Sequence, residues 1–524
     1  MAVLIVLLVT VLVALLALLY KWSVAKYDTF TQRGVPHASP LPLLGNVPPK
    51  GVVGRLPFLQ FMIEQHLRYT DHKIYGVYAM RDPLFFIKDA ALIKAIGIRD
   101  FDYFVNHKAI PNNLQESILS KSLISLKDLE WRQVRHTLTP TFTSSKMRVM
   151  FELIHACSVQ AINGIGEKLE RSASLHSDGI ELEMKDVFTR FANDCIATVA
   201  FGLQVNSFKQ RSNEFYTVGQ ALTQFSAWSM LKAVLYSIMP SVMKKLNISV
   251  LKKEHVDYFK SLVFDAIRQR KQQNFKRPDL IQLLMQAQEQ ITRTTTTNAE
   301  EKPEGLTDED VLAQCLFFFF AGFETISITL CFATYELCMN PLVQSKLFEE
   351  ISDMQNHLEG KPLDYNDLNK MDYLDMVVSE TLRKWPTAIA TDRECAKDYD
   401  LRDENDEVVL SLRKGEVVQI PIFALHHDPE NFPEPQEFRP ERFSDEHNSE
   451  IKPYTYLPFG LGPRSCIGNR LAVMELKLMI YNLVLDYNLL PATKTVTNML
   501  QSIVGFRLQP KELFWLKCVP RKTN

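Results

Sequence analysis

The segment Phe459-Gly460-Leu461-Gly462-Pro463-Arg464-Ser465-Cys466-Ile467-Gly468 carries the most chemically loaded cysteine of the chain. Glycines at 460, 462 and 468 allow tight turns and a close backbone approach to a flat ligand. Backbone N–H groups in such a loop can point at a thiolate sulfur and tune its potential. Arg464 is placed to meet an anionic group. The helix-like run from Asn469 to Tyr481 puts Cys466 near a helix N-terminus, which is expected to lower its pKa. Two plainer readings fit the same residues. Gly460, Gly462 and Ser465 faintly follow a dinucleotide loop, but the third glycine is missing and no βαβ unit surrounds them. Cys466 can equally be a structural thiol in a glycine-rich turn.

Three further groupings have the right residue types for chemistry or for positioning it. Glu380 and Arg383, spaced i, i+3, share one face of a helix-like segment and can pair. Ala321-Gly322-Phe323-Glu324-Thr325 sets a carboxylate beside a hydroxyl midway along a strongly apolar helix. Trp131 and Arg135 lie one helical turn apart. Taken singly, each has a bland alternative: a surface ion pair, a threonine bonded back to its own helix, a solvated arginine.

The positioning elements are mostly helical. Met184 to Phe201 and Val256 to Gln273 read as helices, and short β-like pieces fall at Tyr75 to Met80, Leu84 to Lys88 and Val417 to Pro421. The clearest helix starts at Thr307, an N-cap followed by Asp308, Glu309 and Asp310, and runs to about Asn340, before Pro341. Its stretch from Val311 to Met339 also has the look of a membrane span. Gln314, Glu324 and Glu336 argue instead for the buried central helix of a large protein. Residues 292–305, rich in Thr at first, read as a surface loop.

Ala2 to Leu19 is apolar apart from Thr10, and a helix of that length spans roughly 28 Å, enough for a bilayer core. No basic region precedes it and no small-x-small site closes it, which disfavours a cleaved signal peptide. Lys21, Lys26 and Arg33 follow, so the rest of the chain is expected in the cytosol. Residues 1–20 are thus expected to be a transmembrane anchor, 21–50 a stiff proline-rich linker, and 51–524 one catalytic domain. A net charge of -2 gives no field for nucleic acid. The eight cysteines show neither zinc spacing nor the density of a disulfide scaffold, which fits a reducing compartment.

Phe459-x-x-Gly462-x-Arg464-x-Cys466-x-Gly468 resembles the haem-binding signature of the cytochrome P450 superfamily at all its fixed positions. The other groupings occur in that family's order and spacing, and the resemblance covers nearly the whole chain. It implies a mainly α fold with small β-sheets, and a long central helix over a buried haem b whose iron is held by Cys466. Glu380, Arg383 and Arg442 (in Phe438-x-Pro440-Glu441-Arg442-Phe443) resemble the family's Glu-Arg-Arg triad, a scaffold behind the haem. Trp131, Arg135, Arg393 and Arg464 match haem-propionate contacts, and His107 sits where relatives often have a basic haem contact. Ala321, Gly322, Glu324 and Thr325 match the oxygen-activation motif, with Gly322 leaving room for dioxygen and Thr325 and Glu324 supplying protons. Phe104, Phe317, Phe320, Ile389, Ala390 and Val504 are expected to line the substrate pocket.

Leu138 to Thr143, Asp194 with Ile196, Ala200-Phe201-Gly202 and Leu382 to Pro386 resemble an insect microsomal branch related to the vertebrate drug- and steroid-oxidising group. That implies an endoplasmic reticulum membrane enzyme oxidising lipophilic xenobiotics such as insecticides and plant toxins. The chain has no nucleotide-binding motif, so NADPH would act through a cytochrome reductase, with cytochrome b5 a further partner. Arg132, Lys146, Arg148 and Lys477 are candidate reductase contacts. Residues 227–239 are either a core helix or a segment dipping into lipid. A dedicated hormone or lipid hydroxylase, and a non-enzymatic haem-binding protein, are the competing functions.

Overall fold

The computed structural model describes the chain apart from residues 49–56, 109–117, 173–178, 224–231, 233–234, 236–239, 247, 249–251, 274–276, 278, 296–305, 504–507 and 522–524. Seven of its helices position the candidate site: α1 (Ala2–Val24), α2 (Asp128–Leu138), α3 (Ser144–Ser172), α4 (Met184–Ala200), α5 (Asp308–Met339), α6 (Asp372–Lys384) and α7 (Asn469–Asp486). The strands are β1 (Ile74–Ala79), β2 (Asp82–Ile87), β3 (Ile180–Glu183), β4 (Thr391–Glu394), β5 (Tyr399–Arg402), β6 (Val408–Leu412), β7 (Val417–Ile420), β8 (Tyr487–Pro491) and β9 (Trp515–Pro520). They form a four-stranded sheet in the order β1-β2-β7-β4, a three-stranded sheet β3-β9-β8, and the pair β5-β6. Among these described strands β2 and β7 alone pair in parallel.

α5 begins on a capping box: Asp310 N–H donates to the Thr307 hydroxyl, and Thr307 N–H donates back to the Asp310 carboxylate. Pro341 then opens the next helix, since proline can start a helix but not continue one. The helix packs against α4 and α7. Phe319 stands at its centre, with ring centroids 5.0 Å from Phe259, 5.6 Å from Phe215 and 5.1 Å from Phe323. Its polar side chains find partners inside the protein. Gln314 accepts from Leu123 N–H at 2.9 Å and donates to the Lys121 carbonyl at 2.7 Å. Glu336 accepts from the Trp385 indole N–H at 2.7 Å. α5 is therefore the central helix of the domain and not a second span.

Two apolar cores result among the described residues. The larger joins α3, α4, α5, α6 and α7; the smaller lies under the four-stranded sheet and includes Phe30, Tyr78, Phe85, Leu425 and Leu461. The smaller core corrects the linker expected at residues 21–50. Phe30 and Val35 are buried in it, and Asn46 N–H bonds the Tyr78 carbonyl at 2.9 Å, so the described part of this segment is packed on the domain. A second correction concerns the threonine-rich stretch. Helix Leu280–Thr295 continues through Thr292 to Thr295, because an amphipathic face upstream carries it, and only residues 296–305 lie outside the described part.

Candidate cofactor and active site

Cys466 is the exposed member of the eight cysteines; the other seven are buried. Its N–H donates to the Phe459 carbonyl at 2.8 Å, closing the loop at its base. Gly462 has φ +67°, and a Cβ there would sit 1.9 Å from the Gly97 carbonyl oxygen, so this turn admits only glycine. Gly468 is the N-cap of α7, and its N–H points at the Cys466 sulfur. Although the residue is exposed, the protein close around its sulfur desolvates the thiol and pushes its pKa above the ordinary value; the Gly468 N–H and the Arg135 charge oppose this without winning. The lowering expected from the helix terminus alone is thus outweighed by desolvation.

A cationic cluster stands beside this loop. Arg464 donates to the carbonyls of Val105, Leu123 and Leu126 at 2.8, 3.1 and 2.7 Å, and its guanidinium lies 4.0 Å over the Trp131 ring. Burial, then the like charges of Arg393 and Arg135, push its pKa down to about 9. Arg393 is pushed down to about 10 by burial, against the pull of Asp392. Its Nε is buried and has no hydrogen-bond partner. His107 Nδ1 lies 3.1 Å from the Asp392 carboxylate. Arg135 is half-buried on α2, one turn after the buried Trp131.

On α5 the Thr325 hydroxyl donates to the Ala321 carbonyl, which leaves its oxygen lone pairs free to accept. Glu324 pairs with Lys185 of α4 at 2.9 Å, and Lys185 also donates to the Ser327 hydroxyl at 2.7 Å. A Cβ on Gly322 would meet Ile196 of α4 at 3.3 Å. The missing side chain thus eases the close approach of α4 and α5 at this point.

Behind the loop, Arg383 clasps Glu380 through Nε at 2.7 Å and Nη2 at 2.9 Å, with both side chains fully buried. Arg442 Nε lies 3.5 Å from Glu380, an ion-pair distance without a hydrogen bond. Sequence reasoning missed the link from this triad to the cysteine loop. Arg383 donates to the His426 carbonyl at 2.9 Å, and His426 Nε2 accepts from Leu457 N–H at 2.8 Å. Burial, then the Arg383 charge, push His426 down to about 3, so the ring stays neutral and can accept.

A sequence model described as Cytochrome P450 matches residues 35–516. The chain belongs to the cytochrome P450 family. It is 54% identical over 514 residues to probable cytochrome P450 9h1 of Drosophila melanogaster, covering 97% of this chain and 98% of that protein. Identity to cytochrome P450 9c1 of the same fly is 52%, over 96% of this chain and 97% of the relative. Cytochrome P450 3A31 of Mesocricetus auratus is 36% identical, over 97% and 95% respectively. The chain is accordingly a haem-thiolate monooxygenase of the insect type related to that mammalian group. Its family uses a redox partner, dioxygen and small-molecule substrates.

The residues present fit a haem. Arg464 is repelled by both Arg393 and Arg135, and Arg393 Nε has no hydrogen-bond partner; the propionates of a P450 haem would supply the anions such a cluster calls for, and one exposed thiol lies beside it. Among the expected pocket residues, Phe317, Phe320, Ile389 and Ala390 are half-buried. Phe104 is not among them: it is fully buried in the sheet-side core, edge-on to Tyr399 at 5.3 Å. Val504 lies outside the described residues, as does nearly all of residues 227–239. Lys477, expected on a docking face, is buried and bound to Asp375 at 2.6 Å. Arg132 is exposed and paired with Asp102, and Arg148 donates to Asn366 at 3.2 Å.

Proposed function

We propose that Cys466 would hold the iron of haem b as a thiolate, and that this P450 detoxifies lipophilic xenobiotics, insecticides and plant toxins among them. The observation that carries the reading is the pairing of the one exposed cysteine with an anion-deficient arginine cluster. A bound haem would supply the dioxygen-activating and oxygen-transfer chemistry. The chain's own residues do the rest. Gly468 N–H holds the sulfur, while Arg135, Arg393, Arg464 and Trp131 hold the propionates. Glu324, paired with Lys185, and the Thr325 hydroxyl would hold and pass on the protons that the reaction needs. Phe317, Phe320, Ile389 and Ala390 offer an apolar wall that selects lipophilic molecules.

In this reading α1 anchors the enzyme in the endoplasmic reticulum membrane with the catalytic domain in the cytosol. NADPH-cytochrome reductase supplies electrons, with cytochrome b5 as a second donor. Arg132, Lys146 and Arg148 form the basic contact for an acidic partner, and Lys477 drops out. The test is reconstitution of the full chain with a reductase and NADPH in lipid, against terpenoids, flavonoids, insecticides, steroids and fatty acids. Oxidised products from several of the first three classes are expected. Turnover confined to one steroid or fatty acid would make the enzyme a dedicated hydroxylase instead.

A further inference from the structure

Gln314 is a fully buried polar side chain in an apolar helix, and both ends of its amide are spent on one short stretch of backbone. Its Oε1 accepts from Leu123 N–H at 2.9 Å, and its Nε2 donates to the Lys121 carbonyl at 2.7 Å. That stretch is itself stiff. The short helix Ile118–Lys121 packs on α5. Ser122 N–H and hydroxyl both donate to the Leu119 carbonyl, at 3.1 and 2.6 Å, and Ser125 and Leu126 N–H close on the Ser122 carbonyl at 2.9 and 3.0 Å. Lys121 also pairs with Glu309 and Asp310 in the first turn of α5, but these ion pairs are solvated and contribute little. From the opposite side, Arg464 of the cysteine loop donates to the Leu123 carbonyl at 3.1 Å. The backbone of Leu123 is thus held at its N–H by α5 and at its C=O by the cysteine loop.

The place of this latch on the helix gives it a consequence. Along α5 from Val311 to Cys338, the residues that are not buried are Phe317, Phe320, Ala321, Gly322, Glu324 and Thr325. Their spacing of three and four puts them on one side, so they form a strip left open on an otherwise covered helix. Gln314 stands in line with that strip, one turn before Phe317 and, at the rise of a helix, about 10 Å before Ala321. It is buried where they are not because residues 121–123 bond to it there. Those residues close the strip at this end. Ile118 and Leu119, half-buried on the same core as Phe317 and Phe320, make the closure apolar. An apolar side chain in place of Gln314 would leave a Leu123 N–H and a Lys121 carbonyl unpaired, so the wall could no longer stay where it is.

We propose that Gln314 is a positioning residue that fixes residues 118–123 as the end wall of the substrate space along α5, and so sets the longest lipophilic molecule the site accepts. The inference rests on the reading of the Cys466 loop as the haem site and of the open strip as a side of the substrate space. Arg464 holds the same Leu123, which ties this wall to the loop that carries the cysteine. The length of a bound molecule is therefore measured between two parts of one hydrogen-bonded frame.

The experiment uses the full-length holoenzyme in nanodiscs, native and with Gln314→Met, which keeps the length of the side chain and loses both bonds. Imidazole and 1-alkylimidazoles of increasing chain length are the probes, titrated by the shift of the haem absorption band. Hydrogen exchange of peptides spanning residues 118–126 is followed in parallel. The native chain is expected to bind the series more tightly up to one chain length and more weakly beyond it. Gln314→Met is expected to move that limit to longer chains and leave imidazole itself unchanged. The longest chain should bind at least about tenfold more tightly, and residues 118–126 should exchange at least about tenfold faster. Gln314→Asn, still an amide but too short to make both bonds, is expected to change both in the same direction by less. It carries the test if Gln314→Met fails to fold. Faster exchange with an unmoved chain-length limit overturns the positioning role, since a bond that only stabilises the fold would give that result. Unchanged exchange overturns the latch. A native chain that shows no shift with imidazole overturns the haem reading itself.

Discussion

α1 and α5 are both long and apolar enough to cross a bilayer, with mean hydropathies of 3.4 and 1.9 over their most apolar stretches. Yet none of that stretch is buried in α1, and 67% of it is buried in α5. Average hydropathy does not separate their fates; the polar side chains do. Along its apolar run α1 carries Thr10, whose hydroxyl bonds back to the Val6 carbonyl and so needs nothing from outside the helix. α5 carries Gln314, Glu324 and Glu336, and each is met by a group from elsewhere in the chain. A helix that borrows partners belongs to a protein core.

The largest test of that contrast is to remove one borrowed pairing. Glu336→Ala strands the Lys384 ammonium and the Trp385 N–H, so it should cost roughly 3–5 kcal/mol in chemical unfolding of the catalytic domain. Thr10→Ala in α1 should leave the same unfolding curve unmoved. Equal effects would erase the distinction.

α7 sharpens it further, because its Glu475 is held up to about 8 by burial alone. From an ordinary value of 4.5 up to that pH the unfolded chain is ionised while the folded one keeps its proton. Stability should therefore fall as pH rises, by up to about 1.4 kcal/mol per unit, and level off above pH 8. Glu475→Gln should remove the slope and leave the protein more stable than native at pH 8; a parallel profile would contradict this.

Within α5, Thr325→Ala should separate chemistry from packing. Product formed per electron should fall on the order of a hundredfold while the unfolding midpoint barely moves, since the hydroxyl's bond is local to the helix. Steady-state turnover and peroxide release measure the first, urea titration the second. The smallest effect belongs to α1: deleting residues 2–20 should shift unfolding by less than about 1 kcal/mol, because its exposed side chains contribute no core.

Periodicity and capping made α4, α5 and the strands near the haem site legible in the sequence, because those signals are local. The Glu380–Arg383 pairing was legible for the same reason, being one turn apart. Lys185 was not: 139 residues separate it from Glu324, and nothing in its neighbourhood announces a partner. His426 escaped likewise, since a neutral buried histidine that relays a carbonyl to Leu457 looks like any core residue. Phe104 was misread because a family position does not say which way a side chain points. The strap at residues 21–46 was read as a connector because its prolines are visible and its burial of Phe30 is not.

The central claim is that Cys466, alone among the cysteines, ligates the haem iron as a thiolate. The reduced carbon monoxide difference spectrum of the full-length holoprotein tests it most directly, with Cys466→Ser and Cys395→Ser compared in the same membranes. The account predicts the long-wavelength thiolate band in the native chain and in Cys395→Ser, and its loss in Cys466→Ser with haem still bound or absent. A thiolate band that survives Cys466→Ser would contradict it.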